Sequence, residues 1–210
     1  MARAAGRGQR DTAKEILDAA IALFYRQGYQ ATTLRQIADE VGVQVGSLYN
    51  YISSKERLLY DIMRQIMVDL CEGVETAVQG VPEPHERISR FMRYSIRFHA
   101  ERQEETFIGN TELRSLSSRR RKAIVDLRDR YEAVLREAVE AANAAGEIEV
   151  ADPQLTSFAG LAICSHVATW YRADGPRTLT DITDDLCAAY GPLAPPWRNH
   201  VGLAEMGLTR

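Results

Sequence analysis

Apolar residues recur along this chain at intervals of three and four. That spacing places them on one face of an α-helix. Ile16, Ala20, Leu23 and Phe24 form a first stripe, with Asp11 or Thr12 as the expected cap and Gly28 as the stop. Leu34, Ile37, Ala38 and Val41 form a second, behind a Thr33-to-Gln36 capping box and ended by Gly42. Val45, Leu48, Tyr49 and Ile52 form a third. Two short helices joined by a glycine turn are the pattern of a helix-turn-helix.

The same period continues beyond this head. Ser53 or Ser54 is expected to cap a long helix carrying Leu58, Leu59, Ile62, Met63, Ile66, Leu70 and Val74. Gly80-Val81-Pro82-Glu83-Pro84 breaks the chain, and Ile88, Phe91 and Met92 resume the pattern to about Ala100. A shorter segment runs from about Glu104 to Leu116, and Ser117-Ser118 opens a long helix to Ala145. Asp152 caps a helix with Pro153 at its first position, running to about Tyr171. Thr180 starts a last helix, ended by Gly191-Pro192. No alternating strand pattern, repeat or low-complexity tract interrupts this order. The expected fold is all-α, with about nine helices. A three-helix head covers 1–57, a larger helical body 58–193 and an irregular tail 194–210.

Composition narrows the class. The 210 residues are 45% hydrophobic and 26% charged, as in ordinary globular proteins and unlike disordered or collagenous chains. No apolar run approaches the ~18 residues of a spanning helix, so no membrane partner is expected. Met1 to Arg10 lacks an apolar core, so no secretory signal is expected either. Cys71, Cys164 and Cys187 are odd in number and far apart, which indicates neither a disulfide framework nor a zinc site. His85, His99 and His166 have no metal-ligand spacing. The expected compartment is the cytoplasm, with no cofactor and no metal. The net charge of −3 is unevenly spread. Residues 1–57 carry eight basic and six acidic side chains, net +2, and the remainder carries −5. A basic head on an acidic body suits a polyanion at one end.

The third stripe carries the most informative chemistry. A helix that enters a major groove must expose small or polar groups and bury its other face. Gln44, Gly46, Ser47 and Asn50 meet the first demand, while Val45 and Leu48 flank the buried side. Tyr49 and Tyr51 can donate to phosphates, or Tyr49 can pack in the core. Lys55 stands where a helix N-terminus and a cation can both meet a phosphate, and Thr32, Thr33 and Arg35 offer the same from the second helix. Arg3, Arg7 and Arg10 form an acid-free arm, read either as a minor-groove arm or as a solvated terminus. Gln44 stands where Ser or Thr would cap better, and its amide can read adenine.

The segment Ala31–Leu59, ATTLRQIADEVGVQVGSLYNYISSKERLL, resembles the TetR family of bacterial repressors. Thr32-Thr33, Ile37-Ala38, Val41-Gly42, Gly46-Ser47-Leu48-Tyr49, Tyr51-Ile52 and Ser54-Lys55 all match in register. The resemblance implies a homodimeric regulator that binds a double-stranded, near-palindromic operator as a repressor and is released by a small effector. It also implies a dimer through the last two helices. The small and apolar Phe158, Leu161, Ala162, Ser165 and Thr169, with Leu186 and Tyr190, are the expected interface. Thr111–Leu116 and Trp170–Pro176 are similar to the acyl-CoA-responsive branch, which makes an acyl-CoA the expected effector. Met63, Met67, Phe91, Met92, Phe98, Phe107, Ile108 and Trp170 are candidate lining residues, read alternatively as ordinary core. Arg119-Arg120-Arg121-Lys122, at a helix N-terminus that disfavours cations, is read as a CoA head-group site or as a solvated turn. The chain holds no GxSxG, P-loop, GxGxxG or HExxH, so no enzyme is expected. The remaining alternative is a helical ligand-binding or interaction protein without sequence-specific DNA binding.

Overall fold

A computed structural model describes residues 2–190, with side chains from Thr12 to Tyr190. Nine α-helices lie among the described residues: α1 (Ala2–Gln27), α2 (Leu34–Val41), α3 (Val45–Leu48), α4 (Lys55–Val78), α5 (Pro84–Glu101), α6 (Gln103–Thr111), α7 (Ser118–Ala144), α8 (Pro153–Trp170) and α9 (Leu179–Tyr190). A 3-10 turn, Leu113–Ser115, links α6 to α7. The order agrees with the periodicity, with three local differences. Helix α1 begins at Ala2, so neither Asp11 nor Thr12 caps it. Helix α3 ends at Leu48, because the next turn carries Asn50 and Tyr51 N–H groups bonded to the third residue back. The segment before α7 divides into a helix and a 3-10 turn.

Local chemistry explains the boundaries that position the head. Thr33 accepts from Gln36 N and Gln36 Oε1 accepts from Thr33 N at 2.8 Å, so the capping box forms. Gly42 ends α2 in the left-handed region (φ +75°), which a side chain would strain. Ser54 caps α4 by accepting from Arg57 N, and Asp152 caps α8 by accepting from Leu155 N.

Two apolar clusters hold the molecule together. The first joins Ile16, Ala20, Phe24, Ile37, Ala38 and Leu48 of the head to Leu58, Leu59, Ile62 and Met63 of α4, and to Ile108, Leu116 and Ile124. The second lies in the body, where α5 packs against α4, α7, α8 and α9. Helix α4 contributes its first turns to one cluster and Ile66, Leu70, Cys71 and Val74 to the other. It is the rigid link between them. Cys71 and Cys164 are buried and Cys187 is half-buried, all as free thiols. Among the described residues, no helix is long and apolar enough to cross a membrane, and no group of three His, Cys, Asp or Glu could hold a metal.

Candidate DNA-binding face and ligand cavity

The α2–α3 unit presents a polar outer surface on an apolar inner one. Leu48 is fully buried, and Val45 packs against the head cluster. Gln44, Gly46, Ser47, Tyr49 and Asn50 are exposed, Tyr49 at 55%. Tyr51 is half-buried. Gln44 precedes α3 without a side-chain cap bond, so its amide points to no partner in the helix it starts. Arg35 is exposed on α2. Nothing lies within 4 Å of where a Gly46 side chain would begin, so the backbone there is open to close approach.

Three expectations for this face need correction. Thr32 is fully buried; its hydroxyl donates to Gly28 O at 2.9 Å and accepts from Gln27 Nε2. It is therefore closed to a phosphate. The Thr33 hydroxyl is exposed but engaged with Gln36, from whose N–H it accepts and to whose Oε1 it donates. Lys55 Nζ donates to Tyr29 O at 2.8 Å and Thr32 O at 2.7 Å, and lies 4.3 Å from the centre of the Tyr29 ring. Burial holds the Lys55 amine below its ordinary pKa, against a smaller opposing effect of Glu112. Lys55 is a positioning residue that ties α4 to the α1–α2 turn. The side chains of Arg3, Arg7 and Arg10 lie outside the described residues, as does the tail 194–210.

A cavity of about 220 Å³ opens between α4, α6, α7 and α8. Met63, Ile66, Met67 and Leu70 of α4 and Leu161 of α8 give it apolar walls. Of the eight candidate lining residues, Met63 and Met67 are there. The other six lie elsewhere for identifiable reasons. Phe91 is buried in a stack on Tyr131, with centroids 5.0 Å apart. Met92 packs against Cys164, and Phe98 lies under the Arg102 guanidinium. Ile108 belongs to the head cluster. Phe107 meets Tyr25 of α1 edge-on at 5.3 Å. Trp170 is 46% exposed beside a separate hollow near Pro176.

The polar groups of the cavity are His99, Glu105, Thr106, Asn110, Arg128, Tyr131 and Ser165. None was expected from sequence, although a signal existed. His99 stands seven residues after Met92, and Tyr131 seven after Ile124, each on the buried face of its helix. His99 Nδ1 is 3.1 Å from Thr106 Oγ1, while Nε2 is buried with no hydrogen-bond partner among the described residues. Burial pushes the imidazole pKa down to about 4, so the ring is neutral. Tyr131 Oη is close enough to Ser95 to interact, but neither oxygen makes a hydrogen bond of normal geometry. Arg128 donates to Gly109 O at 2.7 Å, and burial holds its guanidinium below the ordinary value.

The basic turn before α7 is more neutralised than its sequence suggested. Arg120 pairs with Glu56 at 2.9 Å and Lys122 with Asp126 at 2.7 Å. Glu56 Oε1 also accepts from Ser117 N. On α8, Phe158, Ala162 and Thr169 are exposed in the protomer, with Leu161, Ser165 and Leu186 half-buried. Tyr190, expected at a dimer surface, is instead buried inside the protomer. Its hydroxyl donates to Thr156 O at 2.9 Å, and its ring covers Gly160, where a Cβ would come within 2.8 Å.

Comparison with known proteins places this architecture. The helix-turn-helix domain described as "Bacterial regulatory proteins, tetR family" matches residues 16–62. The "Tetracyclin repressor-like, C-terminal domain" matches residues 81–190. The HTH-type transcriptional repressor KstR2 of Mycobacterium tuberculosis is 27% identical over 173 residues, covering 80% of this chain and 85% of that protein. A regulatory protein of the tetR family from Rhodococcus RHA1 superposes with a TM-score of 0.82 at 25% identity, over 87% of this chain and 96% of that one. AibR, solved in complex with isovaleryl coenzyme A and operator DNA, superposes with a TM-score of 0.80 at 29% identity, over 86% of this chain and 98% of its own. With both the head and most of the body matched, the chain belongs to the TetR family, whose members are DNA-binding transcriptional regulators rather than enzymes.

Proposed function

We propose that the protein is a homodimeric, cytoplasmic repressor that binds a near-palindromic operator and is released by a small effector of the acyl-CoA class. The observation that carries the DNA reading is the exposed polar tip of α3. Gln44, Ser47, Tyr49 and Asn50 lie in solvent around a fully buried Leu48, with Arg35 beside them. Gln44 reads a base edge, Val45 and Gly46 allow close approach, and Tyr49, Tyr51 and Arg35 meet phosphates. The Thr33 backbone and the first turn of α2 supply further N–H donors to the phosphates.

The dimer reading rests on one face of α8. Leu155 is 64% exposed and Phe158 49%, on a helix that is otherwise small and apolar. Two copies packed through α8 and α9 cover that face, and two-fold symmetry then sets two heads on one operator. The working division follows, with a DNA-binding head over 1–57, an effector and dimer body over 58–193, and a tail from 194. The effector reading is supported by the cavity and by the likeness to AibR, whose structure holds isovaleryl coenzyme A.

Selection of bound duplexes from a randomised pool tests the DNA reading. The expected result is an inverted-repeat sequence, with preference lost at one base pair of each half-site for Gln44→Ala. Recovery of no preferred duplex favours the helical binding protein without sequence-specific DNA recognition. Sedimentation at low concentration tests the dimer, and a stable monomer refutes it.

A further inference from the structure

The cavity wall carries groups that the fold leaves unsatisfied. A buried polar atom without a partner is destabilising. His99 Nε2 and Tyr131 Oη both lack one, and both residues line the same cavity. Arg128 lines it too, with Gly109 O as its hydrogen-bond acceptor and no carboxylate within 4 Å among the described residues. A neutral imidazole that accepts from Thr106 at Nδ1 holds its proton on Nε2. The wall then offers three kinds of donor: an imidazole N–H, a phenol O–H and a guanidinium. Opposite them stand only hydrocarbon and thioether side chains of α4. This polarity suits an occupant with an oxygen acceptor at one end and a hydrocarbon chain at the other. At about 220 Å³ the space falls below the ~300–1,000 Å³ of pockets that hold drug-sized ligands, so the chain is short.

Resting on the effector reading above, we infer that the cavity takes a short acyl group. Its chain lies against Met63, Ile66 and Met67, and its carboxylate or thioester carbonyl oxygen accepts from Arg128, His99 and Tyr131. Glu105 is the other charged group on the wall. It repels a free carboxylate but not a thioester carbonyl, which gives the two sources of the acyl group different signatures.

Calorimetry on the full chain with hexanoate, hexanoyl-CoA, dodecanoyl-CoA and hexylamine tests this. Saturable heat is expected from hexanoate, hexanoyl-CoA or both, and from neither of the others. Arg128→Gln should weaken that binding at least about tenfold. Tyr131→Phe, which keeps the ring that stacks on Phe91, should weaken it by a smaller factor. Glu105→Gln should tighten hexanoate several-fold if the ligand is the free acid, and leave hexanoyl-CoA unchanged if it is the thioester. Binding of hexylamine or dodecanoyl-CoA as tight as the hexanoyl probes overturns the inference. So does binding of neither hexanoyl probe, or unchanged affinity in both Arg128→Gln and Tyr131→Phe. Duplex selection on the same preparation separates the readings: a recovered operator with no acyl heat sinks the ligand class alone, and acyl heat with no operator sinks the regulator reading alone.

Discussion

The α2–α3 surface and the cavity hold their polar groups in opposite ways. In the head, every polar group that shapes the fold is engaged locally. Thr32 bonds to Gly28, Thr33 to Gln36, and Lys55 to two backbone carbonyls. The groups left over, Gln44, Ser47, Tyr49 and Asn50, stand in water, where an unmade protein bond costs almost nothing. In the cavity, His99 Nε2 and Tyr131 Oη are buried and unsatisfied, which is destabilising in the low-dielectric interior. A solvent-facing recognition surface is therefore cheap to maintain. A cavity with orphaned donors marks a site whose stability depends on what fills it.

The same contrast explains what could be read from the sequence. Helical periodicity, the capping box and the αL glycine are local signals, and α2, α4, α7 and α8 begin within a residue of where those signals put them. The exposed tip of α3 was legible because exposure follows from the same local period. Thr32 and Lys55 were misread because they sit next to that surface in sequence, while their partners lie across a loop, up to 26 residues away. The cavity was nearly illegible. Its wall is assembled from four helices, and methionines and aromatics are common to any core. His99, Arg128 and Tyr131 betrayed it only as polar residues on buried helical faces. Tyr190 shows the limit of composition in the other direction. An apolar helix must be covered, but nothing local says whether its own protomer or a second copy covers it.

The largest expected effect falls on the surface that joins two copies. Phe158→Arg alters a side chain already half-exposed in the protomer, so helical content should be unchanged. Across a two-fold axis the charge is buried twice. Sedimentation should show monomer, and operator affinity should fall by about 100-fold or more. A dimeric variant with normal DNA binding would move the interface elsewhere on the molecule.

Next is the pH response of the cavity. The folded His99 pKa of about 4 lies below that of an unfolded histidine. Protonation therefore favours the unfolded chain. The penalty is absent above about pH 6.5, grows as pH falls, and is complete near pH 4. Denaturant titrations at pH 7 and 4.5 should show a loss of about 2–3 kcal/mol that His99→Gln lacks. Parallel losses in the two proteins would mean that His99 is solvated and that the contrast between the regions is false.

In the head, Lys55→Met keeps the aliphatic stem but removes the donor to Tyr29 O and Thr32 O. Stability should fall by about 2 kcal/mol, read as a lower denaturation midpoint. The dependence of operator affinity on salt distinguishes positioning from phosphate contact. A lysine on a phosphate contributes about one to the slope of log affinity against log salt. The expected slope is unchanged. A shallower slope with normal stability would restore Lys55 to the DNA surface.

The smallest effect concerns how the two regions communicate. Helix α6 and the turn after it touch both. Thr106 meets His99 in the cavity, Phe107 meets Tyr25 of α1, and Ser115 accepts from Gln30. Glu56, at the start of α4, closes the seam by accepting from Ser117 N and pairing with Arg120, contacts that hold its carboxyl below the usual carboxylate pKa. An occupant that moves α6 changes these contacts before it can reach α3, so the seam carries differential free energy between the bound and released states. Glu56→Gln weakens the seam without touching the cavity or the outer face of α3. Operator affinity without ligand and acyl affinity without operator should each stay within about twofold of the native protein, while the factor by which one weakens the other should fall by about fivefold. Reciprocity makes this a strict test, since the factor measured from the DNA side must equal that from the ligand side. If it is equal and undiminished, the two regions are coupled along α4 alone, through Met63 and Ile66 to Leu58 and Leu59.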